Sequence, residues 1–298
     1  MYWGPHWAGH RSPGALHIDI AAGNQVLTEA PHIYKGAYEN PIHLSWNRTT
    51  IAHNTVTVDE HPMFPFDFDT QSIWETDTWR DHPSDSELIA FQPEKTFKAV
   101  RVVNRQVYPG VRLDRSLLLT AGYLVDVFRV SSDQVHQYDW ALHALGLLKS
   151  APQGEETSLG SQRGYQHFTK AQLLKTHPGW TPFTFVKGGL PYVLSVYDPK
   201  NHQVILANDP LPDDLTPIGE FGKNPPRTTL IRRAREKSAV FLAVWNFNPR
   251  NPLQLNAPRI TPTEIQLDLA TPRGATTRWS FPNSGPIVRI ASKPRQRI

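Results

Sequence analysis

Alternation of apolar and polar residues is the dominant periodic signal along this chain of 298 residues. In the run ALHIDIAAG (residues 15–23), Leu16, Ile18 and Ile20 fall on one face, which is the period of a half-buried strand. Residues 99–132 contain two or three such runs in succession, separated by Pro-Gly and Ala-Gly turns. The pattern therefore predicts a protein built from antiparallel strands. Further runs of this kind lie at residues 53–61, 191–209 and 238–249.

Helical periodicity is scarce. The best candidate for a helix is YQHFTKAQLLKTH (residues 165–177), and an irregular strand pair fits it equally well. Residues 208–228 are polar and proline-rich, as is typical of a loop. The sequence thus predicts an all-β fold: one large antiparallel β-sandwich (a supersandwich) over residues 1–248. A small C-terminal β unit follows over residues 249–298, where TEIQLDL and TRWSF offer short strands.

Composition supports the all-β assignment and narrows the classes of function. The 27 prolines disfavour long helices, because proline lacks the backbone donor that a helix needs. A net charge of +4 favours anionic partners, but two adjacent arginines form the longest basic run, so nucleic acid is not an expected partner. The absence of cysteine excludes disulfides and thiolate metal sites. We predict no membrane span and no signal peptide in this chain, because no run reaches about 18 apolar residues and the basic-then-apolar leader pattern is missing.

Three segments, taken in order, carry a family resemblance. The first is YWGPHWAGHRSPGALHIDIAAGNQVLTEAP (residues 2–31), and the second is WNRTTIAHNTVTVDE (residues 46–60). The third covers residues 108–146, with YPGVRLDRSLLL at its start and HQYDWALHALG at its end. Together they resemble the C-terminal β-sandwich region of the heparinase II/III-like polysaccharide lyases, a family that includes exo-acting alginate lyases.

This resemblance implies cleavage of uronic-acid polysaccharides by β-elimination. The reaction needs neutralisation of the C5 carboxylate, a base for the C5 proton and an acid for the leaving glycosidic oxygen. In the family, an (α/α) toroid supplies a tyrosine and an Asn or His that grips the carboxylate, and the sandwich adds a histidine and, in some members, a tyrosine. The quoted segments start at the sandwich, so we expect the toroid to be absent from this chain and its catalytic machinery to be partial.

Carried over by position, the active-site histidine of the sandwich falls on His10, in a glycine- and proline-rich loop. The resemblance implies that His10 shares charge neutralisation and proton transfer. The sandwich tyrosine falls near Tyr38, and Tyr34 competes for that place because the spacing to His53 differs by about one residue. His10 and Tyr38 are therefore the candidate catalytic residues, with Tyr34 as a substrate-binding alternative.

The same resemblance points to a degenerate metal site. His53 matches a histidine that helps to ligate a structural metal in some members, and Glu29 matches the carboxylate of that site. A second ligand histidine of the family is Ser12 here, and the aspartate that follows it is Gly14. One imidazole and one carboxylate fall short of the usual three or four protein ligands. We therefore expect no cofactor and disfavour an intact divalent metal site.

Other polar and aromatic residues admit ordinary structural explanations. Trp46 and Arg48 are candidates for stacking on or binding an acidic sugar, although a tryptophan packed at a sheet end is commoner. His17 is out of step with its apolar neighbours, so we expect it on the solvent side or lining the sheet. Two further groups receive no functional role: His136, Trp140 and His143 are read as core and corner packing, and Arg232, Arg233 and Arg235 as a solvated strand face.

Two hypotheses of different classes follow. The first is a C-terminal domain of a polysaccharide lyase acting on alginate or a heparin-type glycan, completed by a toroid upstream or on a separate chain. The second is a non-catalytic carbohydrate-binding or structural β-sandwich derived from the same scaffold, which Ser12 and Gly14 favour slightly. In both, the expected partner is an acidic polysaccharide or oligosaccharide. Family analogy places the protein in the periplasm or outside the cell.

Overall fold

The computed structural model describes residues 1–3, 12–31, 42–63, 85–210, 227–270 and 276–290. Within these residues the alternating runs form strands, as predicted, and helical structure is confined to a π-helical turn at His43–Asn47 and 3-10 turns at Thr50–Ala52 and Tyr165–His167. In chain order the strands are β1 (Ile20–Ala22), β2 (Gln25–Thr28), β3 (Val56–Val58), β4 (Ser86–Gln92), β5 (Lys98–Asn104), β6 (Val111–Leu119), β7 (Tyr123–Leu145), β8 (Leu147–Ser150), β9 (Gly154–Glu156), β10 (Thr169–Leu174), β11 (Gly179–Lys187), β12 (Leu190–Asp198), β13 (Gln203–Asn208), β14 (Arg227–Asn246), β15 (Gln254–Leu255), β16 (Arg259–Ile260), β17 (Glu264–Ala270), β18 (Thr276–Pro282) and β19 (Val288–Ile290).

Two long strands form the centre of the molecule. β7 has 23 residues and β14 has 20, and neither contains a glycine or proline to interrupt it. They pair antiparallel along nearly their whole length, with a register shift between Glu236 and Ser238. A bulge of this kind bends a strand and increases its twist. One strand pair can therefore contribute to both layers of the sandwich.

The two halves of this pair carry different neighbours. The first half of β7 and the second half of β14 lie in the order β4-β5-β6-β7-β14-β12-β11-β8. The second half of β7 instead pairs with β3 and β2, and the first half of β14 pairs with β13, which continues to β10 and β9. All these pairings are antiparallel, so the predicted fold class, a large antiparallel β-sandwich, is confirmed.

Side-chain alternation explains how the layers pack. Trp140 in the second half of β7 stacks on Phe241 in the second half of β14, with ring centroids 6.4 Å apart, so the interior lies between the two halves. Along β7, Phe128 belongs to this interior, whereas Val125 and Val127 belong to a second cluster on the opposite face. This half of β7 is therefore buried on both faces, while the middle of β7 and β14 reaches solvent.

That second cluster is shared with a five-stranded C-terminal sheet built from β15 to β19. Leu267 and Trp279, on β17 and β18, pack there against the large sheet. Arg101 on β5 links the two sheets. It pairs with Asp114 on the large sheet and donates to the carbonyl oxygens of Pro282 (2.9 Å), Asn283 and Gly285. The small C-terminal β unit is thus present, while the division at residues 248 and 249 stays a prediction.

Two sequence expectations are corrected by the fold. Residues 165–177 form one 3-10 turn followed by β10, so the helical alternative is wrong. The solvated face expected for the β14 arginines is also wrong for two of them. Arg232 is 1% exposed and pairs with Asp198 at 3.0 Å, and Arg233 pairs with Asp139 at 2.7 Å. The reason is that this half of β14 lies between β7 and β13, and most of its side chains on both faces are buried.

In the part of the chain with described structure, no helix has the length and apolar character that crossing a membrane requires.

Candidate functional site

The three residues with the most direct expected role, His10, Tyr34 and Tyr38, lie outside the described residues. The structure describes the segment that follows His10, from Ser12 onward, and the motif around His53. Together these described residues form a frame that holds this part of the molecule.

The segment from Ser12 to His17 is fixed through its backbone. The Tyr2 amide donates to the His17 carbonyl oxygen at 2.8 Å, and the Leu16 amide donates to the Tyr2 carbonyl oxygen at 3.1 Å. The Thr55 hydroxyl donates to the carbonyl oxygen of Ala15 at 2.7 Å. Leu16 has a φ of 60° and is completely buried, which is a costly left-handed conformation for a branched side chain. The surrounding contacts maintain this conformation against its intrinsic cost.

Arg115 on β6 provides the central contact of the frame. Its guanidinium forms a two-pronged pair with Asp126 on β7, at 2.9 and 2.6 Å, and both side chains are fully buried. Its Nη1 atom also donates to the carbonyl oxygens of Leu16 (2.7 Å) and Asn54 (2.6 Å). One arginine therefore ties together all three sequence segments that carry the family resemblance.

His53 is held by Ser12 and by its own backbone turn. Its Nδ1 lies 2.8 Å from the carbonyl oxygen of Thr49, which can only accept, so Nδ1 carries the proton. The other nitrogen, Nε2, is then the acceptor for the Ser12 hydroxyl. A Cβ atom at Gly14 would lie 2.9 Å from His53 Cδ2, closer than carbon atoms approach. Gly14 thus gives the ring its room, and Ser12 satisfies its acceptor nitrogen.

His17 is buried, so the expectation of a solvent-side position is wrong. Its Nδ1 accepts from the backbone amide of Asn54 at 2.9 Å, and its Nε2 donates to Asp19 at 2.8 Å. Burial lowers the pKa of His17, and this outweighs the opposing effect of the Asp19 hydrogen bond. Its ring meets the edge of His53 at 5.6 Å. His17 therefore acts as a neutral link between the first two segments.

Asn54 extends the frame into the core, and sequence reasoning missed it although it stands beside His53 in the AHNTV motif. Its side-chain amide donates to the Ile18 carbonyl oxygen at 2.8 Å, and its Oδ1 accepts from the His143 amide at 2.7 Å. The His143 ring lies within hydrogen-bond distance of Asp209 (2.9 Å) and of the Ile51 carbonyl oxygen (2.8 Å). We call Arg115, Asp126, His17, His53 and Asn54 the loop frame. Its side chains are 9% exposed or less, so it positions the segment after His10 and presents no reactive surface of its own.

Trp46 and Arg48, the predicted substrate contacts, are both buried, with exposures of 2% and 4%. The Trp46 indole meets the edges of His143 and Phe168 at 5.9 and 5.1 Å. This arrangement favours the packing alternative for Trp46, and a substrate contact by either residue stays a prediction. Trp140 and His143 are buried in the core, as predicted, whereas His136 is partly exposed and pairs with Asp59 at 2.5 Å.

The residues of the degenerate metal site are engaged elsewhere. The nitrogen of His53 that would bind a metal accepts from Ser12, and Glu29 pairs with Arg227 at 3.0 Å. Among the described residues no three histidine or acidic side chains cluster closely enough to hold a metal ion. A serine hydroxyl on the imidazole and an arginine on the carboxylate do not fit a divalent cation. No catalytic step is therefore assigned to a metal here.

Comparison with known proteins identifies the family. The family model described as Heparinase II/III-like, C-terminal matches residues 3–198. The chain is 25% identical to an exo-oligoalginate lyase of Saccharophagus degradans over 262 residues, covering 80% of this chain and 32% of that protein. It is 27% identical to an alginate lyase of Stenotrophomonas maltophilia over 164 residues, covering 49% of this chain and 21% of that protein.

A solved structure has the same fold. The heparan sulfate lyase of Pedobacter heparinus superposes with a TM-score of 0.58 at 11% identity, covering 93% of this chain and 38% of that one. The chain thus spans about a third of the length of the first curated relative and of this structure. Since these similar proteins are lyases, the comparisons do not favour the non-catalytic alternative. The match over residues 3–198, together with the confirmed sandwich, shows that the chain belongs to the heparinase II/III-like C-terminal family.

Proposed function

We propose that this chain is the sandwich part of a polysaccharide lyase that cleaves a uronic-acid glycan, of the alginate or heparin type, by β-elimination. The observation that carries the proposal is the loop frame. Arg115 and Asp126 anchor the segment that directly follows His10 and join it to the His53 motif. A buried ion pair with satisfied hydrogen bonds supports a fixed geometry at that point of the chain. Such rigidity is useful where a loop must present a side chain to a substrate.

His10 is the proposed catalytic residue of the sandwich. Abstraction of the C5 proton leaves negative charge on the substrate carboxylate, and an imidazole can both donate a hydrogen bond to that group and exchange a proton near neutral pH. Tyr38, or Tyr34 in its place, is proposed to act beside His10 as a proton donor or substrate contact. The remaining carboxylate clamp is proposed to come from a toroid domain, upstream on the same polypeptide or on a separate chain.

The proposed partner is an acidic polysaccharide or oligosaccharide. The basic net charge of +4 supports an anionic partner without selecting one. We further propose that the protein works in the periplasm or outside the cell, where such polymers are encountered, by analogy with the family.

The test is an absorbance assay for the unsaturated uronate that β-elimination produces. The purified chain alone, incubated with alginate or heparin, is expected to give little or no increase in absorbance. Supplied with a toroid domain, it should become active, and His10→Ala should then lower the rate by about 100- to 1,000-fold, as for loss of one transition-state donor.

His177→Ala is the matched control, because His177 is an exposed histidine between β10 and β11. It should leave the rate unchanged. An unchanged rate in His10→Ala would reject the assignment of His10, and binding of the glycan without turnover in the completed protein would reject the lyase proposal.

A further inference from the structure

A cleft of about 410 Å³ opens where the large sheet meets the C-terminal sheet. We call it the arginine cleft. Its wall on the large sheet includes Arg112, Arg129, Lys200, His202 and Glu236. None of the described residues that line it belongs to the loop frame. The cleft therefore needs an explanation of its own.

Three arginines lie around one carboxylate near this cleft, and two of them pair with it. Asp114 on β6 accepts from Arg101 at 2.9 and 2.7 Å and from Arg112 at 2.7 Å. Arg129 is directly opposite Asp114 in the β6–β7 ladder, but the carboxylate is already engaged by the other two. The group therefore carries an excess of two positive charges.

Arg129 is the member without an ionic partner. Its side chain is buried, with an exposure of 9%, and no carboxylate among the described residues pairs with it. Its Nη2 donates to the carbonyl oxygen of Phe281 at 2.5 Å, while its Nη1 is buried and has no acceptor in the described part of the chain. Burial lowers the pKa of Arg129 to about 10, so the side chain stays charged at neutral pH. A buried cation without a counter-ion is costly unless an anion can reach it.

The other charged groups of the cleft pair with one another. Lys200 pairs with Glu236 at 2.8 Å, and His202 lies between Asp198 (2.6 Å) and the same Glu236 (2.9 Å). Glu236 is the one carboxylate among the described residues that line the cleft, against Arg112, Arg129, Arg232 and Lys200. Arg232 is neutralised by Asp198 behind the lining, at 3.0 Å, so the positive excess at the cleft comes from Arg112 and Arg129 beside the shared Asp114, and it suits an anionic ligand.

We propose that the arginine cleft is an oxyanion-binding site, which takes a carboxylate or sulfate group on Arg129 and Arg112. The guanidinium groups provide paired N–H donors that match the oxygens of either anion. The proposal rests on the described residues of the cleft alone, so it does not depend on the proposed function. The shared chemistry is an oxyanion, carried either on an acidic sugar or by a free inorganic ion.

The test is a titration of the full chain, followed by NMR chemical shifts or calorimetry, at constant ionic strength. The probes are sodium glucuronate, sodium sulfate and, as the uncharged control, glucose. We expect saturable binding of one or both anions and none of glucose. Arg112→Gln should weaken this binding about tenfold or more, the size expected for one charge-assisted hydrogen bond.

Two more variants keep the test decisive. Arg129→Gln should weaken binding at least as much. If Arg129→Gln folds poorly, Arg112→Gln still tests the proposal, because the Arg112 side chain is 32% exposed and its replacement should not disturb the fold. Arg278→Gln is the matched control, because it removes the same charge from an exposed pair with Asp268 on the C-terminal sheet. It should leave binding unchanged.

Tighter binding of glucuronate than of sulfate would identify an acidic sugar as the source of the oxyanion. Binding of sulfate as tight as or tighter than that of glucuronate would show that the sugar adds nothing and that the site recognises a free inorganic oxyanion. Absence of saturable binding to either anion would overturn the proposal, and so would equal affinity in the wild type and Arg112→Gln. Lyase activity is measured separately, so failure here would leave the proposed function intact.

Discussion

The loop frame and the arginine cleft both contain buried arginines, but they compensate the charge differently. In the loop frame, Arg115 has its own carboxylate, Asp126, and also donates to two carbonyl oxygens. In the arginine cleft, Arg129 has one carbonyl oxygen as partner, because Asp114 is engaged by other arginines. The difference teaches that a buried arginine holds backbone in place when it is fully paired, and is available to a ligand when it is not.

The largest effect should come from breaking the paired arginine. Asp126→Asn leaves Arg115 buried without its counter-charge, so we expect a loss of about 3–5 kcal/mol in the free energy of unfolding. Urea denaturation measures it. Glu87→Gln is the control, because Glu87 and Arg105 form an exposed pair at 2.9 Å, and such pairs contribute about 0–1 kcal/mol. Equal losses in the two variants would show that the loop frame does not depend on this ion pair.

A smaller loss should follow from crowding His53. A methyl group at Gly14 would overlap the imidazole, so Gly14→Ala should destabilise by about 1–3 kcal/mol, as overpacking does. Gly122→Ala is the matched control, since nothing lies within 4 Å of a Cβ built there. It should change the free energy of unfolding by less than about 1 kcal/mol. If the two variants have the same stability, His53 is not packed against Gly14.

Removing the unpaired arginine should cost less than removing a paired one. Arg129→Met loses one hydrogen bond, to the Phe281 carbonyl oxygen, and relieves an uncompensated buried charge, so we expect a loss of about 1 kcal/mol or less. Arg115→Met, which leaves Asp126 buried alone, should cost about 3–5 kcal/mol in the same urea series. A loss in Arg129→Met as large as in Arg115→Met would erase the distinction between the two regions.

Much of this architecture follows from the sequence, because alternation fixes strands and the absence of glycine and proline explains the length of β7 and β14. The alternating pattern wrongly placed His17 toward solvent, because the left-handed backbone at Leu16 interrupts the pleat on which the period of two depends. It also fails at Arg232, since the pattern cannot tell a strand face covered by a second layer from one that meets water.

The candidate site was less predictable than the fold. The motifs brought Ser12, Gly14 and His53 to attention, and the structure places them in contact. The pairing of Arg115 with Asp126 depends on the register of the β6–β7 hairpin, and no local motif encodes that register. Asp114 and its arginines have the same property, which is why the arginine cleft left no signal in the sequence.

The smallest expected effect is a difference in pH dependence between the two regions. Hydrogen bonding to Asp198, and then to Glu236, raises the pKa of His202 against the effect of burial and of Arg232, whereas burial lowers the pKa of His17. The stability that His202 contributes is therefore present below its unfolded pKa of about 6.5 and is lost as the pH rises through the higher folded value. For His17 the unfolded chain takes up the proton first, so stability is lost as the pH falls below about 6.5 toward the lower folded value.

Urea unfolding between about pH 5 and 8 measures both contributions, because histidine titrates in that range. His202→Gln should remove the loss on the alkaline side and leave the acid side unchanged, and His17→Gln should flatten the acid side whatever its effect on overall stability. Only the slopes against pH are compared, since each variant also loses hydrogen bonds that do not titrate. If both variants flatten the same side of the profile, the two histidines titrate in the same direction, and the contrast between a neutral link in the loop frame and a charged one in the arginine cleft does not hold.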